Sequence, residues 1–419
     1  MMTVFLATTC PAPEDVGDLS SFCRELFGSL SRSDQRRWGE VYIRGLLSVP
    51  GRKTVRRISE HMAVGSVDQC LQQFVNQSPW RWEPVRQALA RRATPIRPQA
   101  WVVQEVVFPK NGASSVGVAR QYASSAGRVL NCQLGLAVLL ASQDAACALN
   151  WRLMLPYSWN DDPRRRARTR LPDQERHRPR WQHIFESVDE MTSGWGLRPA
   201  PVVLDACAGE AQQIMHGLTA RGLPYVVKVP GHTPVLQTAA YRRVLTADQL
   251  AARSVKRVIL PGQGRSGGRA AVVQYSVATV CESCLTTGAT QATTRCPHAR
   301  TRRVLAQWTP GGQRLSAVWL TNLTTACPHE LVNLITMSMR ARTEVVPTLR
   351  NEFGLQDFEG RSFAGWHHHV TLVSAAHTLS TLRRIREQHR TDALGTTAMR
   401  RITTRVSAVD DRALQLRQA

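Results

Sequence analysis

The run Val202-Val203-Leu204-Asp205 is three apolar residues closed by an acid, and a helical segment, Glu210–Arg221, separates it from Tyr225-Val226-Val227-Lys228-Val229. Short continuous runs of β-branched residues between turn signals read as strands buried on both faces. A strand, a crossover helix and a second strand make a parallel pair. Working outward, Trp101–Val107, Val129–Ala141 and Ala146–Leu155 read as three strands in succession before this unit. After it comes a β-rich, Gly- and Thr-rich segment over 232–327, then closing helices at about 328–352 and 362–392, with a polar tail over 393–419. The fold class expected is mixed α+β and α/β.

Residues 17–95 read as short helices: Leu19, Phe22, Leu26 and Phe27 recur at helical spacing, as do Val55, Ile58 and Met62. Pro50-Gly51 reads as a break between two of them. These helices carry Arg36, Arg37, Arg52, Lys53, Arg56 and Arg57, which fits a small DNA-binding domain; the alternative is a solvated basic face on a packing domain.

The chain has 419 residues, with 54 Lys+Arg against 31 Asp+Glu, a net charge of +23. Only Lys53, Lys110, Lys228 and Lys256 are lysines, so arginine supplies nearly all of the positive charge. Arginine's planar fork pairs two-pronged with phosphate, which points to a polyanionic partner. The densest stretch, a loop over 163–180, holds Arg164, Arg165, Arg166, Arg168 and Arg170, all candidates for sequence-independent backbone contact. No apolar stretch is long enough to span a membrane, and the first residues lack the basic start of a secretory leader. Ten cysteines in a chain of this length are no disulfide scaffold, so a reducing cytoplasmic, nucleoid-associated setting is expected.

Cys281, Cys284, Cys296 and His298 stand close to the two-knuckle spacing of a structural zinc site, although the second knuckle is one residue short. Unliganded surface cysteines are the alternative. His367-His368-His369 cannot share one ion, because consecutive helical residues point about 100° apart. Packing and DNA-backbone contact are expected there instead. Trp80 and Trp82 read as core or interface aromatics, with base stacking the alternative, and Cys132 and Cys207 read as small buried hydrophobes.

Over roughly 20–390 the chain resembles insertion-sequence transposases of the DDE superfamily, whose catalytic domain is RNase H-like. The resemblance rests on Tyr42-Ile43-Arg44-Gly45-Leu46-Leu47, Phe108-Pro109-Lys110, Ser115–Tyr122, Asn131-Cys132-Gln133, Leu223–Val227, Phe358-Glu359-Gly360-Arg361 and Gly365–His369. It implies an RNase H-like core over 96–231, interrupted by the β-rich insertion 232–327 and completed by the closing helices 328–392. It also adds Lys110, Arg120 and Arg361 to the candidate DNA contacts. The chemistry implied is phosphodiester cleavage and strand transfer on two Mg²⁺ held by three carboxylates. Here the sequence departs from the pattern. The first acidic slot falls at Gln104 and Glu105, the second is Asp205, and the third is Thr343, with Glu344 beside it. Asp205, Glu105 and Glu344 are therefore a degenerate catalytic set.

The function expected is a transposase-derived protein that binds duplex DNA and has lost its nuclease activity. An active Mg-dependent transposase is the alternative, and an RNA-binding or RNA-guided factor the weaker one. Double-stranded DNA is the expected partner, with a homodimer on DNA as a further possibility.

Overall fold

The computed structural model describes residues 13–62, 67–207, 209–237, 243–253, 257–260, 273–281, 301–308 and 314–415. Helices α1 (Pro13–Leu26), α2 (Ser33–Ser48), α3 (Val55–His61), α4 (Val67–Asn76) and α5 (Trp82–Arg92) come first. Strands β1 (Ala100–Pro109), β2 (Ala119–Ala123), β3 (Arg128–Ala141) and β4 (Ala146–Met154) follow. Next come α6 (Pro163–Thr169), α7 (Arg180–Asp189), β5 (Val202–Asp205), α8 (Ala211–Ala220) and β6 (Tyr225–Val229). Beyond these lie β7 (Pro234–Gln237), β8 (Arg243–Thr246), α9 (Ala247–Arg253), β9 (Arg257–Leu260), β10 (Val273–Cys281), β11 (Thr301–Trp308) and β12 (Leu315–Thr321). Helices α10 (Pro328–Arg340), α11 (Val346–Asn351) and α12 (Phe363–Gln415) close the chain.

The central strands run β4-β3-β1-β5-β6, with β3 antiparallel to β1 and with β5 and β6 parallel to it. This is the RNase H-like order. Val202, Val203 and Leu204 are buried on both faces, as a parallel strand requires. The described strands of the β-rich segment 232–327 continue the same sheet. β12 pairs antiparallel with β6, and β11, β10, β7 and β8 follow outward.

The N-terminal helices pack directly on this core. α12 lies against β4 on one side and α2, α4 and α5 on the other, so one hydrophobic core runs through both. Burying aromatic and aliphatic side chains here is what docks the helices. The triple histidine makes the junction. His367 stacks on Trp82, His368 stacks on Trp80, and His369 Nδ1 accepts from the Tyr42 hydroxyl at 3.0 Å. All three are buried, so they pack as expected but cannot touch a DNA backbone. Trp80 and Trp82 are likewise interface aromatics. Arg86 of α5 crosses the same junction, donating to Trp151 O and Thr371 Oγ1, each at 2.8 Å, and to His367 Nδ1 at 3.1 Å. Burial lowers its pKa to about 9.

Two boundaries differ from the sequence reading. The arginine-rich segment is no plain loop: Asp162 caps α6 by accepting from the Arg165 N–H at 2.9 Å, and Pro163 fills the first turn. The polar tail is not separate from α12, which runs past Gly395 to Gln415 with no proline to stop it. Cys132 is buried as expected, whereas Cys207 is exposed just beyond the end of β5. Among the described residues no helix is long and apolar enough to cross a membrane.

Candidate active site and basic surface

The register of β1 on β5 pairs Val103 with Leu204, which carries Gln104 to the level of Asp205. On the other side Asp205 pairs directly with Lys228 of β6. Three neighbouring strands thus present Gln104, Asp205 and Lys228 in one row. Their cover is α10 and the π-helical turn Ala341–Val345 that follows it. Such turns re-aim side chains by inserting a residue into the helical ladder.

Arg342 is the residue this turn sends to Asp205, its Nη1 lying 2.8 Å from Oδ2. Lys228 Nζ reaches the same oxygen at 3.5 Å. Gln104 is buried and turns its amide toward Ser338 of α10, 3.3 Å from Oγ. Glu105 points to the opposite face, as alternation along a strand demands, and accepts from the Ser125 N–H at 3.0 Å. Glu344 is exposed and pairs with Arg340 at 3.3 Å. Thr343 hydrogen-bonds back to Met339 O. Of the three expected carboxylates, only Asp205 stands in the row. Neither Glu105 nor Glu344 joins it.

Arg342 and Lys228 were absent from the sequence-derived site. Arg342 stands one residue before the expected third slot, and its direction depends on the π turn, which no sequence pattern announces. Lys228 follows from the strand register alone.

The candidate DNA contacts divide by what holds them. Lys53 is buried with its ammonium on Val49 O, and Lys110 donates to Phe358 O at 3.0 Å. Burial lowers the pKa of both. Arg166 is buried and gathers the carbonyls of Trp159, Pro172 and Asp173. Arg165 lies 4.0 Å over the Trp159 ring and donates to Val118 O. These four side chains hold the fold and are not presented to a partner. Arg36 donates to the carbonyls of Leu30 and Ser31, Arg56 pairs with Glu60 at 2.9 Å, and Arg52 pairs with Glu359 at 3.2 Å. Arg37, Arg57, Arg120, Arg164, Arg168, Arg170 and Arg361 are exposed.

Of the zinc candidates, Cys281 is the last residue of β10, where it pairs with Thr301 of β11. Cys284, Cys296 and His298 lie outside the described residues. No group of three or more His, Cys, Asp and Glu that could hold a metal occurs among the described residues.

A sequence model of the DDE superfamily endonucleases matches residues 25–296. The chain belongs to this family. A search of curated proteins finds no match. The matched region includes Gln104 and Asp205 but stops before α10 and Arg342. DDE endonucleases act on DNA and typically use Mg²⁺. The row in this DDE-family chain does not fit such an ion pair. A hard dication beside a phosphate needs anionic oxygen ligands. Here the row offers one carboxylate, one neutral amide and two cations, both of them already on the carboxylate.

Proposed function

We propose that this chain is a transposase-derived protein that binds duplex DNA and no longer cleaves it. The observation that carries the reading is Arg342 at 2.8 Å from Asp205, with glutamine in place of the neighbouring acid. Two Mg²⁺ would have to displace Arg342 and Lys228 and then rest on a single carboxylate. Coulomb repulsion from both cations opposes that.

DNA remains the fitting partner. The net charge of +23 is spread over arginines, and the exposed set includes Arg164, Arg168 and Arg170 on and beside one short helix. Contacts of this type bind phosphates without reading bases. A cytoplasmic, nucleoid-associated location is the setting we propose with such a partner. For the segment between β10 and β11 we keep the sequence-based assignment of a structural zinc on Cys281, Cys284, Cys296 and His298, supported by the ladder that pairs Cys281 with Thr301 and so brackets the ligand run.

The test is incubation of duplex DNA, including the ends of the element that encodes the protein, with Mg²⁺ or Mn²⁺. Equal background from wild type and Asp205→Ala is expected. Metal-dependent nicking that Asp205→Ala abolishes would overturn the reading.

A further inference from the structure

We infer that Arg342 and Lys228 form a metal-independent clamp for a backbone phosphate of DNA, with Asp205 as the displaceable occupant in the free protein. The inference rests on the DNA-binding reading above. Both cations converge on one oxygen, Asp205 Oδ2, at 2.8 and 3.5 Å. Two positive groups aimed at one oxygen form the arrangement that a phosphate oxygen also satisfies. One carboxylate balances only one of them, leaving a net positive charge at the point where the family's chemistry would hold dications against the same phosphate.

The groups are reachable. Arg342 is 43% exposed at its side chain, Asp205 40% and Lys228 33%, so a ligand can compete for the cations without unfolding the site. Arg340, two residues earlier, is turned away, donating to the Gln143 and Asp144 carbonyls and to Glu344. Arg342 is thus the guanidinium that the π turn commits to the row. Lys228 also lines a cleft of about 660 Å³ that runs past Val229-Pro230-Gly231 and β12, with Arg314 on its wall. Asp248 lines the same cleft, so it gives a strand seated on the clamp room to pass rather than further net positive charge.

A structural ion pair and a clamp with an internal occupant make opposite predictions for its two ends. If the pair only staples the π turn to β5, removing either end loosens the same contact, and both variants change binding in the same direction. In a clamp, the acid competes with DNA and the cations bind it.

The experiment is fluorescence anisotropy of full-length protein on a mixed-sequence duplex across a salt series, with EDTA or with Mg²⁺. Wild-type affinity should not rise with Mg²⁺, which acts here only as a competing counterion of the DNA. Arg342→Gln and Lys228→Gln should each weaken binding and lower the log–log salt slope by about 0.9, one phosphate contact. Asp205→Asn, which keeps the shape, should tighten binding, and Arg342→Lys should retain most of the slope. Thermal unfolding of each variant separates these effects from loss of fold. If duplex binding is unchanged by the variants, or if Asp205→Asn weakens it as Arg342→Gln does, the clamp is refuted and DNA binding stands. No binding by the wild type would refute both.

Discussion

Mild acid should destabilise this protein far more steeply than its carboxylates alone would allow. At least four imidazoles are held neutral inside the fold. Burial lowers the pKa of His183 to about 3, with Arg178 and Arg152 adding to it. Burial takes His369 and His377 to about 4. His367 lies well below its ordinary 6.5 through burial and then Arg86, whose guanidinium donates to Nδ1 and so blocks a proton there. Burial takes His368 to about 4 as well, although carbonyl oxygens at 2.8 Å face both its nitrogens and oppose the shift, so four is the smallest count of such groups. For a base whose folded pKa is depressed, the unfolded chain binds more protons. Stability is therefore complete above the unfolded value and is lost as pH falls below it. Each such group contributes a slope of about 1.4 kcal/mol per pH unit, so four give about 5–6 kcal/mol per unit below about pH 6. A domain is stable by only ~5–15 kcal/mol, so unfolding is expected near pH 5. Urea unfolding at several pH values measures the slope directly. His377→Leu, which keeps an apolar contact with Phe353, should reduce the proton count from about four to about three. A slope of one proton or less, or no change in that variant, would refute the reasoning.

Replacing Arg164, Arg168 and Arg170 together with Ala should lower the salt slope of duplex binding by about 2–3 while leaving stability within ~0.5 kcal/mol. Arg166→Ala should do the reverse, costing about 2–4 kcal/mol in a denaturation curve because the carbonyls of Trp159 and Pro172 lose a charged donor. Elemental analysis of purified protein should find about one zinc per chain. Cys284→Ala and Cys296→Ala should each lose it, and metal that survives both changes would disprove the ligand set.

The core order was legible because its strands are continuous apolar runs: Val202–Leu204 and Tyr225–Val229 announce buried parallel strands by composition alone. The motif residues were legible as family marks but not as to their task. Tyr42 and His369 meet across the helix junction, and Gly354, at φ +68°, takes a conformation that suits glycine, its carbonyl accepting from His369 Nε2 at 3.1 Å. These are packing devices. The basic candidates were the least legible, because sequence counts an arginine as charge without saying what it donates to. Arg166 differs from Arg164 only in which way a short helix turns it, and Lys53, just before α3, is buried where Arg57 on α3 is exposed. The same holds at the row itself. Loss of acid at Gln104 and Thr343 was visible, whereas the arrival of Arg342 was not, since it needs a π turn and a strand register acting together.

The account turns on whether Asp205 still holds a divalent ion. Mn²⁺ binding, followed by electron paramagnetic resonance on full-length protein with duplex DNA present, measures this for wild type beside Asp205→Asn. The Asp205–Arg342–Lys228 arrangement predicts identical titrations for the two proteins, with no saturable ion assigned to the row. Stoichiometric Mn²⁺ on the wild type that Asp205→Asn removes would contradict it.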